Sequence, residues 1–127
     1  MKVESDCMES SVVGKKSFDF AVRIVNLYKY LCATKKEYVL SKQLLRSGTS
    51  IGANIQEGLQ GQSKKDFLMK MNIALKEASE TKYWLRLLKA TGYLSDQEQI
   101  TIFNDCIEVE KILTRIVKTT SENINQK

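Results

Sequence analysis

Four carboxylates have the most evident capacity for chemistry in this 127-residue chain: Glu57, Glu77, Glu80 and Glu110, spread over three helical stretches. Carboxylates converging from several helices can hold a pair of metal ions, but such sites also draw on Glu-x-x-His pairs. The chain has no histidine. Two carboxylates can also cleave a glycosidic bond if a cleft admits the sugar, and a compact small bundle rarely has one. The competing reading is structural. Glu77, Glu80 and Thr81 share an arc with Ile73, Trp84 and Leu88, where an isolated charge is expensive to bury. The carboxylates are therefore expected to pair with Arg46 or Lys70 and to accept hydrogen bonds from Ser50 and Asn54. Arg46, Ser50, Asn54, Glu57, Glu77 and Glu80 make up this expected polar network, which would fix register between helices or subunits.

Other reactive patterns are weaker. Gly58-x-x-Gly61 followed by Lys64-Lys65 superficially suggests a phosphate loop, but G-x-x-x-x-G-K-[ST] is absent. Without histidine there is no Cys–His nucleophile. Cys32 and Cys106 read as core, since a buried free cysteine behaves as a small hydrophobe. Trp84 and Tyr83 could stack on bases, although helical spacing among leucines places Trp84 in a core or interface. No catalytic residue, metal or cofactor is expected. The remaining chemistry is electrostatic. Lys15, Lys16, Lys64, Lys65, Lys82, Arg86 and Lys89 are the candidates for nucleic-acid contact. The first four fall at one end of an up-down bundle, and the last three share the polar face of the third helix. Lys64 and Lys65 stand at a helix N-terminus, where cations oppose the dipole.

These residues need helices to position them. The chain has no proline, which favours uninterrupted helices, and no strand-like alternation. Residues 1–14 read as a polar tail. A first helix is expected from Ser17 as N-cap, with Phe18, Ala21, Val25, Tyr28 and Cys32 on its buried side, widened by Ile24, Leu27 and Leu31. Lys35 and Lys36 would close its C-terminal end. A second helix starts between Glu37 and Ser41, buries Leu40, Leu44, Ile51 and Ile55, and stops near Gly58, read as a left-handed terminator. Gly48 and Gly52 leave it a thin surface for close approach. The third runs from the Ser63 N-cap to Thr91, ended by Gly92. The fourth opens on the capping box Ser95-Asp96-Gln97-Glu98, carries Phe103, Cys106, Leu113 and Val117 inward, and frays after Thr120. The domain is thus residues 15–120, with a frayed end at 121–127. Short connections make this an all-α, antiparallel up-down-up-down four-helix bundle.

The third helix carries two apolar arcs: Phe67, Met71, Ala74, Ala78 and Leu85, then Ile73, Trp84, Leu87 and Leu88. Together they span more than one core requires, so a partner copy is expected to cover the surplus. Three cysteines at irregular spacing form no disulfide framework, and a reduced cytoplasm suits them. No stretch approaches a membrane span, so no membrane is expected as a partner. The net charge of +5 mildly favours polyanions.

The order QLLRSGTSIGANIQEG, then DFLMKMNIALKEASETKYWLRLLKATGYL, resembles the four-helix bundle proteins encoded in intervening sequences of bacterial 23S rRNA genes. The accessory variability determinant of diversity-generating retroelements is similar to them. The likeness runs from Phe18 to Val117. Its core S-I-x-x-N-I-x-E-G falls on Ser50, Ile51, Asn54, Ile55, Glu57 and Gly58. A second segment, A-L-x-E-A-x-E-T-x-Y-W-L, falls on Ala74, Leu75, Glu77, Ala78, Glu80, Thr81, Tyr83, Trp84 and Leu85. The resemblance implies an antiparallel bundle assembling as a homopentameric barrel, nucleic-acid contact, and no catalytic residues. Two functions follow as expectations: a non-enzymatic oligomer that binds RNA or DNA backbone, or a scaffold for another polypeptide such as a polymerase, with the basic charge incidental.

Overall fold

A computed structural model describes the backbone of residues 4–125 and the side chains of residues 10–125. It is all-α, with four helices and no strand among the described residues: α1 (Glu4–Ala33), α2 (Leu40–Leu59), α3 (Lys64–Ala90) and α4 (Asp96–Asn125). Each helix packs on its neighbours in sequence, and α1 closes against α4. The core is a single apolar cluster to which all four contribute, including Phe20 and Ile24, Leu44 and Ile51, Met71 and Leu85, and Cys106 and Leu113.

Local chemistry sets most of the ends. Ser63 caps α3, its Oγ accepting the Asp66 amide at 3.1 Å. Thr91 follows the last residue of α3, and Gly92 turns the chain at φ +87°, a conformation glycine adopts without a Cβ penalty. Ser95 and Glu98 form the reciprocal capping box. The Glu98 carboxylate accepts the Ser95 amide at 2.8 Å, and Ser95 Oγ accepts the Glu98 amide at 3.1 Å.

Three expectations about α1 are corrected. The helix begins at Glu4, so the stretch read as a tail is helical from that residue; residues 1–3 lie outside the described residues. Ser17 is not a cap. It is buried inside α1, and its hydroxyl donates to the Gly14 carbonyl at 3.1 Å, a back-bond that lets serine sit within a helix. The buried stripe runs through Val13, Ser17, Phe20, Ile24 and Leu31, so Ile24 and Leu31, expected only to widen the face, are at its centre, while Leu27 is half-buried beside it. Phe18 is 68% exposed. At the other terminus α4 is helical through Asn125, across the start of the stretch expected to fray.

Gly58 is also corrected. α2 does stop near it, at Leu59 with Gln60 as C-cap, but Gly58 itself is helical and not a left-handed terminator. It is buried where α2 meets α3, and a Cβ there would stand 2.8 Å from Met71 Cε. Gly48 has the same use against α1, where a Cβ would meet Ile24 at 2.8 Å. Contacts between α1 and α2 join Ile24 to Gly48, Ser17 to Gly52 and Gly14 to Leu59. They step backward along one helix as they step forward along the other.

The apolar faces of α2, α3 and α4 follow the expected positions with local shifts. Leu40, Phe67, Ile73, Trp84, Leu87, Phe103 and Val117 are half-buried rather than central, while Leu88, Ile102, Val109 and Ile116 are core.

Candidate functional site

The polar network lies where α2 meets α3. Arg46 reaches across to both carboxylates of α3, pairing with Glu77 at 3.3 Å and more closely with Glu80. Glu80 also accepts the indole N–H of Trp84 at 2.9 Å. The Trp84 and Arg46 hydrogen bonds hold the Glu80 carboxyl below its ordinary range, against the desolvation that would raise it. Toward the α2 terminus, Lys70 pairs with Glu57 at 2.6 Å.

Two parts of the expected network differ. Ser50 and Asn54 do not reach the carboxylates; Ser50 Oγ donates to the Arg46 carbonyl at 2.7 Å and Asn54 Nδ2 to the Ser50 carbonyl at 2.9 Å. Both side chains satisfy their own helix, as short polar side chains readily do. The network is also not buried. The side chains of Arg46 and Glu80 are 48% and 36% exposed, so these pairs belong to the surface class worth about 0–1 kcal/mol. Trp84 is the member that sequence reasoning missed, although its i+4 spacing from Glu80 signals it. The buried polar contact between these helices is another one, with Thr81 Oγ1 lying 2.9 Å from Ser47 Oγ.

The remaining carboxylate, Glu110, pairs with Lys82 at 2.7 Å. Among the described residues no three histidine, cysteine, aspartate or glutamate side chains gather closely enough to hold a metal ion. Cys106 is fully buried, and burial foremost pushes its thiol up to about 12, which disfavours the nucleophilic thiolate. Cys32 is half-buried, and the side chain of Cys7 lies outside the described residues. An open depression between α1 and α4 is lined by Arg23, Asn26, Leu27, Glu98 and Ile102.

The basic candidates fall into two groups. Lys15 pairs with Asp19 at 3.0 Å, Lys16 with Glu108 at 3.2 Å, Lys82 with Glu110, and Lys89 with Asp96 at 3.2 Å. Lys64, Lys65 and Arg86 are exposed and enter no ion pair among the described residues. Lys15 and Lys16 follow Gly14, which lies against Leu59 at the end of α2. That end leads directly into Lys64 and Lys65 at the start of α3.

A second basic cluster stands at the α1–α2 corner. Lys35 and Lys36 lie beyond the end of α1 at Ala33, and not in its last turn. Lys36 adopts a left-handed φ of +58°. Glu37 turns inward and is buried, its carboxylate accepting the amides of Val39, Leu40 and Ser41 at 3.1, 2.9 and 2.7 Å. Burial alone would raise its carboxyl, but the three amides outweigh it and hold it below the ordinary range.

Residues 9–115 match the model of the 23S rRNA-intervening sequence protein family. The chain belongs to that family. The matched span covers every basic candidate and the whole α2–α3 network of this 23S rRNA-intervening sequence family member. A crystal structure of a protein of unknown function from the S23 ribosomal protein family of Bacteroides thetaiotaomicron VPI-5482 is also similar. It is 57% identical, with a TM-score of 0.85 over 87% of this chain and 98% of that one. No curated protein matches the chain. No helix among the described residues is long and apolar enough to cross a membrane.

Proposed function

We propose that this protein is a non-enzymatic, antiparallel up-down-up-down bundle that self-associates in the cytoplasm as a homopentamer and binds RNA or DNA backbone through its lysines and arginines. The observation that carries the nucleic-acid reading is the division of its charge. Many surface acids are paired with cations, as in Lys16–Glu108, Arg46–Glu80 and Lys82–Glu110. Lys64, Lys65 and Arg86 are left exposed and enter no ion pair among the described residues, although Asp66 follows Lys65 in the first turn of α3. Cations at a helix N-terminus oppose the dipole, so Lys64 and Lys65 are placed against local stability, and an anionic partner offsets that cost. Phosphate contacts of this kind position a strand without reading its sequence.

Self-association is supported by apolar side chains that the single chain leaves in water. Phe18 and Val22, one turn apart on α1, are 68% and 46% exposed. A closed ring of copies would repeat the Lys64–Lys65 end around its axis and turn modest charge into a multivalent surface. Tyr83 favours a second reading. It is half-exposed and edge-on to Trp84, which shares the Glu80 carboxylate with Arg46, and tyrosine, tryptophan and arginine are the residues that dominate protein interfaces. On that reading the protein is a scaffold for another polypeptide such as a polymerase.

Light scattering on nuclease-treated protein tests the assembly: a single species of five chains is expected, and a monomer contradicts it. Lys64→Glu with Lys65→Glu should weaken nucleic-acid binding at least tenfold. Unchanged affinity would remove this end of the bundle from the interface. A defined protein that co-purifies after nuclease treatment, with no nucleic-acid affinity, would favour the scaffold.

A further inference from the structure

We propose that the α1–α2 corner, built from Lys35, Lys36, Tyr38 and Lys42, is a second nucleic-acid contact that takes single strands, with Tyr38 stacking on a base and the lysines meeting phosphates. The inference rests on the nucleic-acid reading above and adds a place and a strand preference to it.

Three features of the corner converge. Its negative charge is turned inward: Glu37 uses both carboxylate oxygens on the amides of Val39, Leu40 and Ser41. Those amides open α2, so the helix terminus is already neutralised and is not itself the anion site. What faces outward is cationic. Lys36 and Lys42 are exposed and have no acidic partner among the described residues. Lys35 stands 5.9 Å from the ring centroid of Tyr30, whose hydroxyl donates to Glu98, so Lys35 is partly balanced and the other two lysines carry the patch.

The second feature is the backbone of Lys36. A left-handed φ suits glycine, and a side chain there is held only when its surroundings over-determine the conformation. The corner does so through the Glu37 amide bonded to the Leu31 carbonyl at 3.0 Å and Ser41 Oγ bonded to the Glu37 carbonyl at 2.8 Å. A lysine placed at a strained tip costs stability that glycine would not, and its charge is what that position gains.

The third feature is apolar surface between the cations. Tyr38 is 53% and Val39 71% exposed. One aromatic ring flanked by lysines on a pre-organised turn is the arrangement that stacks a base while neutralising its backbone. A duplex hides its base faces and offers Tyr38 nothing to stack on. Two apolar residues are too little surface to anchor a membrane. α2 separates this corner from the Lys64–Lys65 end by about 30 Å, so the two patches are independent points on the same bundle.

The test uses the full chain with a short fluorescein-labelled oligouridine and a duplex RNA of equal length, measured by anisotropy across a salt series. Tyr38→Ala should weaken oligouridine binding about fivefold or more, with the salt slope and the duplex affinity unchanged. Lys36→Gly combined with Lys42→Gln should reduce the slope of log affinity against log salt by about 1.4, at roughly 0.7 for each single-strand phosphate no longer neutralised. Lys36→Gly relieves the backbone, so a melting temperature equal to or above wild type confirms that the weakening is not unfolding. Oligouridine binding that is abolished by Lys64→Gln with Lys65→Gln and untouched by the corner variants overturns the corner alone. No binding of either RNA by the wild type overturns both readings. Tyr38-dependent binding to phosphatidylserine vesicles, with RNA binding unaffected by Tyr38→Ala, overturns the corner in favour of a membrane surface.

Discussion

A methyl group added at Gly48 would stand 2.8 Å from Ile24, inside the contact distance of real side chains, whereas one added at Gly14 would meet only Leu59 at 3.5 Å. Both glycines are helical, so alanine should gain about 1 kcal/mol of helix propensity at each. At Gly48 the overpacking cost of about 1–3 kcal/mol outweighs that gain because Ile24 is fully buried. Gly48→Ala should therefore lower the urea midpoint and Gly14→Ala should raise it. Equal shifts would mean that α1 and α2 approach less closely than this geometry requires. The thin surface at Gly48 was legible from small residues clustered in an apolar helix. The similar role of Gly58 was not, because a glycine near a helix end has two uses and only the neighbour, Met71, decides between them.

Glu37 supplies a pH dependence whose sign follows from its surroundings. Its folded carboxyl lies below the ordinary range, so its contribution is fully present above the unfolded value of about 4.3. That contribution is lost as pH falls through the lower folded value. Glu80 and Glu98 are shifted in the same direction, so acid melting alone does not isolate Glu37. The comparison with Glu37→Gln does. The variant should melt below wild type at neutral pH, and the gap should narrow as the solution is acidified below about pH 4. A gap that stays constant would place Glu37 outside the acid response.

At the scale of elements, caps written in sequence were the legible part. The pattern Ser95-x-x-Glu98 satisfies backbone donors at a helix start, and the structure holds both bonds. The start of α1 was not legible, because Ser17 has the residue type of a cap and an acid, Asp19, just after it. Serine can instead bond back to a carbonyl within a continuing helix, and there Ser17 bonds Gly14. Two substitutions separate these uses. Ser63→Ala removes a cap and should cost about 1 kcal/mol. Ser17→Ala removes only a bond to a carbonyl that the helix already engages, and should cost clearly less. A larger loss at Ser17 than at Ser63 in chemical denaturation would contradict the continuous α1. The buried face of α1 was displaced for the same reason: a helix taken to start at Ser17 draws Phe18 inward, while one continuing from Glu4 buries Val13 and Phe20.

At the scale of the whole molecule, the fold class followed from helical periodicity, absent proline and short connections, none of which depends on a partner. The candidate site was legible only as a composition. Sequence set Lys64 and Lys65 apart only by their place at a helix N-terminus, and the folded chain distinguishes the seven cations further, pairing Lys15 with Asp19 one turn on and Lys16, Lys82 and Lys89 with acids of α4. The corner lysines were passed over because their meaning depends on Glu37 facing inward, which only the turn geometry supplies. The α2–α3 ion pairs are too exposed to dominate stability. Glu80→Ala should shift stability by no more than about 1 kcal/mol in the separated chain, and a larger loss would signal that a second copy buries it.

The central claim is that exposed cations of this bundle neutralise nucleic-acid phosphates. Its most direct test is binding of labelled RNA and DNA to nuclease-treated protein across a salt titration. The account predicts that the logarithm of affinity falls linearly with the logarithm of salt, with a slope that counts the phosphates engaged. Absence of binding at the lowest salt, or binding that salt does not weaken, would contradict it.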